Sequence, residues 1–244
     1  MAYSLELTGR VEATHFWFRG FRAYVAPVIH DTASGRRDLR LLDCGCGTGY
    51  NLMTLLRPYG QAFAFDLTED ALERARRAGR PLVRADLQHI PFASGAFDLA
   101  TSFDVMQSVS DDVGALREMA RVLRPGGHAV LNVTALDLLH GDHSYVWDEQ
   151  RRYTAATAAS LVRNAGLTVV RISYLFTSLT PMILAVRTAQ RMLRRWRAPS
   201  GDADLTVPPA PINALLSLLV KGEAALARRV PMPFGSSLLI VAKK

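Results

Sequence analysis

A strand pattern in this chain runs directly into three closely spaced glycines, and this arrangement restricts the folds that the chain can adopt. The strand LRLLDCG leads into Gly45, Gly47 and Gly49 within DCGCGTGYN, and a helical pattern starts immediately afterwards. Alternate glycines let the backbone pass close beneath a ligand, and a helix N-terminus offers free N–H groups and a positive dipole end. The sequence therefore predicts a ligand loop at the carboxyl end of a strand, where open α/β sheets bind their ligands.

Strand and helix patterns then alternate at the spacing of βαβ units, which favours an α/β fold with a mostly parallel sheet and helices on both faces. We predict strands at 38–44, 61–66, 82–85, 97–103, 128–133, 167–173 and 236–242. We predict helices at 16–29, 50–56, 69–78, 113–123 and 154–165.

The chain is predicted to form one domain, because 244 residues are ample for a core without disulfides or a structural metal. The segment 174–234 carries helical patterns and is longer than a plain connection should be. The predicted parts are an N-terminal helical lid at 1–35, a core at 36–173 and 235–244, and a helical cap insertion at 174–234.

Cysteine usage and apolar stretches indicate a soluble protein of the reducing cytoplasm. Cys44 and Cys46 are too close for an easy disulfide and too few for a closed zinc site, and the scattered histidines suggest no metal. The first residues lack the pattern of a signal peptide. The stretch 167–186 is interrupted by Arg171 and Pro181, which makes it too broken for a convincing transmembrane helix.

The positive charge of the chain is local. The formal net charge is +7, and five arginines fall within eleven residues: Arg187, Arg191, Arg194, Arg195 and Arg197. Because the remaining charges nearly balance, no nucleic-acid-binding surface is expected over the fold as a whole.

Two aspartates follow the predicted second and third strands. Asp66 lies 23 residues after Asp43, at the distance where a carboxylate can accept both ribose hydroxyls of an adenosine ligand. Asp86 ends the third strand and could accept from the exocyclic amine of adenine, although a solvated turn aspartate would look the same. Together with the glycine loop, these residues predict a nucleoside site.

Several runs of residues in this chain resemble the motifs of a known protein family. The runs LLDCGCGTG, ADLQHIPFASGAFD and RVLRPGG, together with Asp66, resemble the class I S-adenosylmethionine-dependent methyltransferases over about 39–133. The resemblance implies a Rossmann-like seven-stranded sheet with an antiparallel last strand. It also implies S-adenosylmethionine as cofactor and S-adenosylhomocysteine as product. A nicotinamide dehydrogenase expects G-x-G-x-x-G, whereas the third glycine here comes one position early.

The resemblance implies cofactor contacts along the carboxyl ends of the first four strands. Gly45 and Gly47 would lie against the methionine portion, Asp66 would hold the ribose, and Leu67 would lie against adenine. The complete set implied there is Asp43, Gly45, Cys46, Gly47, Asp66, Leu67, Asp86, Leu87 and Phe103.

The N-terminal segment EATHFWFRGFR resembles a helix that some relatives lay over the cofactor. In this interpretation Trp17 covers the cofactor, Phe18 faces the acceptor, and Arg19 or Arg22 lies near the cofactor carboxylate. Aromatic residues at helical spacing are equally typical of plain core packing, so both interpretations of Trp17 stay open.

The segment LLHGDHSYVWDEQRRYT resembles part of a methyltransferase subset in which a histidine precedes an Arg-Arg-Tyr run. His143 matches that histidine and is a candidate general base, since a neutral imidazole can take a proton near neutral pH. A loop histidine in a structural hydrogen bond is the alternative interpretation. Asp104 and Asp142 are alternative carboxylate bases.

Three further residues are predicted to contact the acceptor. Arg152 and Tyr153 belong to the Arg-Arg-Tyr run. Gln107, followed by Ser108, departs from the Glu-His pair that many relatives have at this position.

The predicted activity is transfer of a methyl group to a hydroxyl or carboxylate oxygen of a small hydrophobic metabolite, with nitrogen and carbon as less favoured acceptors. Two alternatives stay open: a cofactor-binding partner protein without methyl transfer, and another reaction on the same sulfonium cofactor.

The predicted cap combines the arginine-rich segment 181–197 with a later helical pattern. One face of that pattern is formed by Ile212, Leu215, Leu216, Leu219 and Val220. These helices could pack on each other and on the sheet, wall an apolar acceptor pocket, or make peripheral contact with an anionic membrane surface.

Overall fold

A seven-stranded sheet forms the centre of the computed structural model, which describes residues 2–193, 196 and 205–244. The strands are β1 (Leu39–Cys44), β2 (Gly60–Asp66), β3 (Leu82–Arg84), β4 (Phe97–Phe103), β5 (Leu123–Thr134), β6 (Thr168–Leu175) and β7 (Ser237–Lys243). Their order is β3-β2-β1-β4-β5-β7-β6, and β7 runs antiparallel to both of its neighbours. The Rossmann-like mixed sheet with an antiparallel last strand is therefore confirmed.

Helices cover both faces of this sheet. They are α1 (Ala2–Val11), α2 (Phe16–Ala33), α3 (Glu69–Ala75), α4 (Asp112–Val122), α5 (Asp142–Val146), α6 (Ala155–Asn164), α7 (Thr180–Leu193) and α8 (Ala210–Ala227). One face packs against α4 and α6, and the other packs against α2 and α8. Successive residues of β1 divide between these two cores, because side chains alternate across a strand: Leu41 belongs to one core and Leu42 to the other.

Several helix predictions differ from the structure. The helix α1 lies within the predicted helical lid at 1–35, but no separate helix was predicted at its position. The helix predicted at 50–56 is a π-helical turn at Leu52–Leu56, closed by a hydrogen bond from the N–H of Arg57 to the carbonyl of Leu52, and a 3-10 turn with Pro58 follows it. Since proline cannot donate a backbone hydrogen bond, a regular helix cannot continue through this position.

The interior contact between α2 and α8 depends on a glycine. A Cβ at Gly20 would lie 2.4 Å from Cγ1 of the buried Val220 and 3.3 Å from the ring of Phe176. Valine is β-branched and has little rotational freedom, so the neighbour cannot turn aside. The two helices therefore cross at a point where only glycine fits.

Gly20→Ala is expected to destabilise the protein by about 1–3 kcal/mol, because it overfills this crossing. The matched control is Gly222→Ala on α8, where a Cβ would meet nothing within 4 Å. The free energy of unfolding of that control variant is expected to rise by up to about 1 kcal/mol, because alanine has a higher helix propensity than glycine. Urea denaturation measures both free energies of unfolding, and equal effects of the two substitutions would contradict the tight crossing.

Candidate functional site at the carboxyl edge of the sheet

The glycine loop after β1 adopts a backbone that other residues would resist. Gly45 has φ +81° and Gly47 has φ +53°, and a Cβ at Gly45 would lie 2.5 Å from Cγ2 of Val105. The N–H groups of Gly45 and Cys46 donate to the carbonyl of Phe65 at 2.9 and 3.1 Å, which ties the loop to β2. Burial raises the pKa of the Cys46 thiol, so this side chain stays neutral.

Asp66 lies at the end of β2 and is bonded to the same loop. Its Oδ2 accepts from the N–H of Gly47 at 3.0 Å, and its Oδ1 accepts from the N–H of Thr68 at 3.0 Å. A carboxylate oxygen can accept more than one hydrogen bond, so both oxygens could also take ribose hydroxyls. The next residue, Leu67, is 59% exposed and could lie against a flat base.

Asp86 and Leu87 follow β3 and differ in burial. Oδ1 of Asp86 accepts from the N–H of Gln88 at 2.9 Å, and the carboxylate is only partly buried. Leu87 is buried in the core, so its backbone and not its side chain could address a ligand. A carboxylate beside backbone polar groups matches the edge of an adenine ring, and this end of the sheet therefore fits a nucleoside.

Asp43 lies beneath the loop and not on its surface. It is 2% exposed, and Oγ1 of Thr101 donates to its Oδ1 at 2.8 Å. Burial, with a smaller contribution from the charge of Asp66, raises the pKa of Asp43 to about 7. The side chain of Asp43 is therefore bonded inside the sheet, to β4, and not exposed at the predicted cofactor site.

Asp43→Asn is expected to raise the Tm at about pH 8 by roughly 4 °C or more. Between its ordinary pKa and about 7, folded Asp43 holds a proton that the unfolded chain has lost, so stability falls as the pH rises through this range. Asparagine keeps the acceptor for Thr101 and carries no charge to bury. At about pH 4 the Tm difference should vanish, and calorimetry that finds the same difference at both pH values would contradict a raised pKa.

Arg22 approaches the glycine loop through two other residues. Its guanidinium lies 4.6 Å from the ring centroid of Tyr50, and its Nη2 donates to the backbone carbonyl of Glu12 at 2.6 Å. The Glu12 carboxylate in turn accepts from Oγ1 of Thr48 at 2.7 Å, and burial raises the pKa of Glu12. The sequence analysis did not single out Glu12, although this residue begins the segment EATHFWFRGFR.

Aromatic side chains wall the site on the side of α2. Trp17 stacks on Phe176 with ring centroids 3.8 Å apart, and Phe21 meets Phe103 edge to face at 5.2 Å. Both Trp17 and Phe103 are partly buried against the core under α2. Phe18 instead contacts the ring of His15 at 6.0 Å. The sequence analysis did not single out Phe176, which lies far along the chain, after β6.

Asp104 follows β4 in the left-handed conformation, with φ +58°. Its Oδ1 accepts from Nδ2 of Asn132 at 2.7 Å, and the side chain remains accessible to solvent. The surrounding protein atoms reduce its hydration, and this effect, with the nearby charge of Glu149, raises the pKa of Asp104 to about 7. A carboxyl group with this pKa can exchange a proton near neutral pH.

His143 lies beside a buried ion pair. Its Nε2 is 3.7 Å from Oε1 of Glu149, whose side chain is 1% exposed. Oε2 of Glu149 accepts from Nη2 of Arg152 at 2.9 Å, and Nη1 of Arg152 donates to the carbonyl of Ala135 at 3.0 Å. Two predicted site residues, His143 and Arg152, are thus brought together by Glu149, which the sequence analysis missed.

Two other predicted residues are engaged within the protein. The hydroxyl of Tyr153 donates to Oδ2 of Asp112 at 2.8 Å, and its ring is buried. Gln107 is 3% exposed, and its backbone carbonyl accepts from the N–H of Gln150 at 2.9 Å. The contacts of both residues fix the loop after β5 against the loop after β4.

Within the described ranges 2–193, 196 and 205–244, no group of three or more histidine, cysteine or acidic side chains is placed to hold a metal ion.

The polar groups at the carboxyl edge of the sheet include hydrogen-bond acceptors for a nucleoside, such as Asp66 and Asp86, and the titratable side chain of Asp104. Fold and loop define a Rossmann-like α/β domain of the nucleotide- and nucleoside-binding class.

Comparisons with known proteins show which members of this nucleoside-binding class the chain resembles. A family model described as a methyltransferase domain matches residues 42–131. An uncharacterized 37.1 kDa protein in transposon TN4556 of Streptomyces fradiae is 32% identical over 177 residues, covering 67% of this chain and 51% of that protein. The malonyl-[acyl-carrier protein] O-methyltransferase of Legionella pneumophila is 41% identical over 95 residues, covering 36% of this chain and 34% of that enzyme.

The fold is shared with solved structures. An S-adenosylmethionine-dependent methyltransferase from Mesorhizobium loti superposes with a TM-score of 0.58 at 19% identity, covering 89% of this chain and 96% of that one. Residues 42–131 thus match a methyltransferase domain, and the chain shares its fold with a solved S-adenosylmethionine-dependent methyltransferase. It spans about half the length, or less, of the curated relatives named above.

Proposed function

We propose that this protein transfers a methyl group from S-adenosylmethionine to an oxygen atom of a small, hydrophobic acceptor. The observation that carries the proposal is the position of Asp104, an exposed carboxyl group at the carboxyl end of β4 that accepts from Nδ2 of Asn132 at 2.7 Å. Its pKa, raised to about 7, supports the same role. An acceptor hydroxyl must lose its proton during transfer, and a base with a pKa near the working pH is suited to take it. The O-methyltransferase relative from Legionella pneumophila supports an oxygen acceptor.

The cofactor would be held by residues of the glycine loop and of the next two strand ends. Asp66 would accept the ribose hydroxyls, Leu67 would cover one face of adenine, and Asp86 would accept from the adenine amine. Gly45 and Gly47 would let the backbone approach the methionine portion. When bound, S-adenosylmethionine supplies an electrophilic methyl group, so the protein has mainly to position the acceptor and exclude water.

The aromatic side of the site would receive the acceptor. Phe103 directly precedes Asp104 and is only partly buried, so it offers apolar surface that favours a hydrophobic acceptor over a strongly charged one. The proton of the acceptor would pass to Asp104, with His143 as the alternative base. Arg152 is bonded to Glu149 and would keep this edge of the site fixed.

Calorimetric titration with S-adenosylmethionine and S-adenosylhomocysteine, with NAD as control, tests the cofactor first. We expect binding of both sulfur nucleosides and none of NAD. Tritiated S-adenosylmethionine is then incubated with long-chain alcohols, phenols and carboxylic acids, and extraction into organic solvent measures methyl transfer. Failure of the folded protein to bind either sulfur nucleoside would overturn the proposal. Binding without transfer to any compound would favour a partner protein that only binds the cofactor.

A further inference from the structure

The helix α8 carries its large apolar side chains on the outside. The side chains turned toward the protein are small or polar, with one valine: Asn213, Ser217, Val220, Ala224 and Ala227. The outward side chains are 45% to 69% exposed: Ile212, Leu215, Leu218, Leu219 and Leu226. The predicted face of Ile212, Leu215, Leu216, Leu219 and Val220 is therefore divided between inside and outside. Of that set, Val220 is buried and Leu216 is partly buried.

Specific contacts fix the rotation of α8 about its axis. Oδ1 of Asn213 accepts from the N–H of Phe16 at 2.8 Å, and its Nδ2 donates to the carbonyl of Thr14 at 3.0 Å. At the next turns, Val220 fills the space beside Gly20. Rotating the helix to bury its leucines would break these hydrogen bonds inside the protein, and each buried polar group left without a partner would destabilise the fold. The exposed leucines are therefore a property of this fold.

A soluble helix normally turns its apolar stripe to the core and its polar side to water, which is the reverse of α8. Among the described residues, α8 is also the one helix that is long and apolar enough to cross a membrane by length and composition. Because Asn213 holds one side of α8 to α2, only the opposite side is free to meet an apolar phase. An amphipathic helix that lies in the plane of a membrane interface also presents only one side to the apolar phase.

Charge identifies the kind of surface that fits. Between residues 205 and 235 the cations are Lys221, Arg228 and Arg229, and all three are exposed. Glu223 is the one acidic residue in that range, and its carboxylate accepts from the N–H groups of Thr177 and Ser178 at 2.6 and 2.8 Å. The surface around the exposed leucines is thus apolar and cationic.

A second copy of the chain fits this surface less well. In a two-fold contact the same patch meets itself, so the three cations of each copy would approach one another without acidic partners from this segment. Anionic lipid headgroups would instead lie beside the cations while the leucines enter the acyl boundary. Arg194, Arg195 and Arg197, from the segment predicted to contact a membrane, lie outside the described residues, and the inference rests on α8 alone.

We propose that the outward face of α8, formed by Ile212, Leu215, Leu218, Leu219 and Leu226, docks on an anionic lipid bilayer. The inference does not depend on methyl transfer, since it rests on the orientation and charge of one helix. It does bear on the acceptor, because α8 packs directly on α2, which carries Trp17. Docking would bring the aromatic side of the site close to the phase in which a hydrophobic acceptor dissolves.

Vesicle flotation of the full chain tests this docking. We expect the protein to float with phosphatidylcholine vesicles that contain about 30% phosphatidylglycerol and to bind pure phosphatidylcholine at least roughly tenfold more weakly. Leu215→Gln/Leu218→Gln/Leu219→Gln should lower the partition coefficient at least roughly tenfold, since apolar burial is lost. The matched control is Val170→Gln, which removes a 55% exposed apolar residue from β6 and should change nothing. Circular dichroism and Tm verify that each variant is folded.

A charge variant separates the contribution of the cations to vesicle binding from that of the exposed leucines. Lys221→Gln/Arg228→Gln/Arg229→Gln should weaken binding to anionic vesicles and reduce its dependence on salt between about 0.05 and 0.5 M. Absence of flotation of the folded wild-type protein at the lower salt would overturn the proposal. So would unchanged flotation of the leucine variant, which would mean that charge alone binds. A dimer that the leucine variant dissociates, without flotation of the wild type, would assign the face to a second copy instead.

Discussion

Asp66→Ala is expected to lower the affinity for S-adenosylhomocysteine by roughly a hundredfold or more. A hydrogen bond to a charged group contributes about 1.5–3 kcal/mol, and the proposed site loses two of them with the carboxylate. The N–H groups of Gly47 and Thr68 also lose their acceptor, which loosens the glycine loop against β2. Isothermal titration calorimetry measures the change in affinity directly.

The matched control for this substitution is Asp70→Ala. Asp70 lies four positions further along the chain and forms an ion pair with Arg74 at 3.0 Å, with both side chains about 30% exposed. Such pairs contribute at most about 1 kcal/mol to stability, and this one has no place in the proposed site. Affinities of the two variants within a factor of about three of each other would remove Asp66 from the cofactor site.

The sheet could be predicted from the sequence because its signals are local. Each strand is a short apolar run, and the glycines and aspartates that follow β1, β2 and β3 mark the edge at which they end. Gly45, Gly47 and Asp66 therefore fall where the pattern places them. The antiparallel last strand was not visible in periodicity, and it followed from the family resemblance.

The rest of the site depends on contacts between distant segments. Phe176 meets Trp17 across 159 positions of sequence, and Glu149 gains its importance only once the loop after β5 folds back beside His143. No periodicity in either segment contains that information. The same holds for α8: its composition predicted an amphipathic helix, but the outward face is decided by the hydrogen bonds of Asn213 to the chain before α2.

Asp104→Asn is expected to lower kcat/KM about 10²- to 10⁴-fold with an acceptor that carries a protonated hydroxyl, with little change in cofactor affinity. Asparagine keeps the oxygen that accepts from Asn132 and tolerates the left-handed backbone. Asp148→Asn is the matched control, since this exposed aspartate also has a positive φ, of +52°.

The pH profile distinguishes Asp104 from His143 as the base. With a pKa of about 7, Asp104 is ionised above that pH, so wild-type kcat/KM should fall as the pH drops below about 7 and level off above it. In Asp104→Asn the remaining rate should lose this dependence, whereas in His143→Ala a slower rate should keep it. If the profile instead persists in Asp104→Asn and disappears in His143→Ala, the proton passes to His143. A wild-type profile that stays flat from about pH 5 to 9 would mean that the acceptor arrives already deprotonated, and then neither group acts as a base.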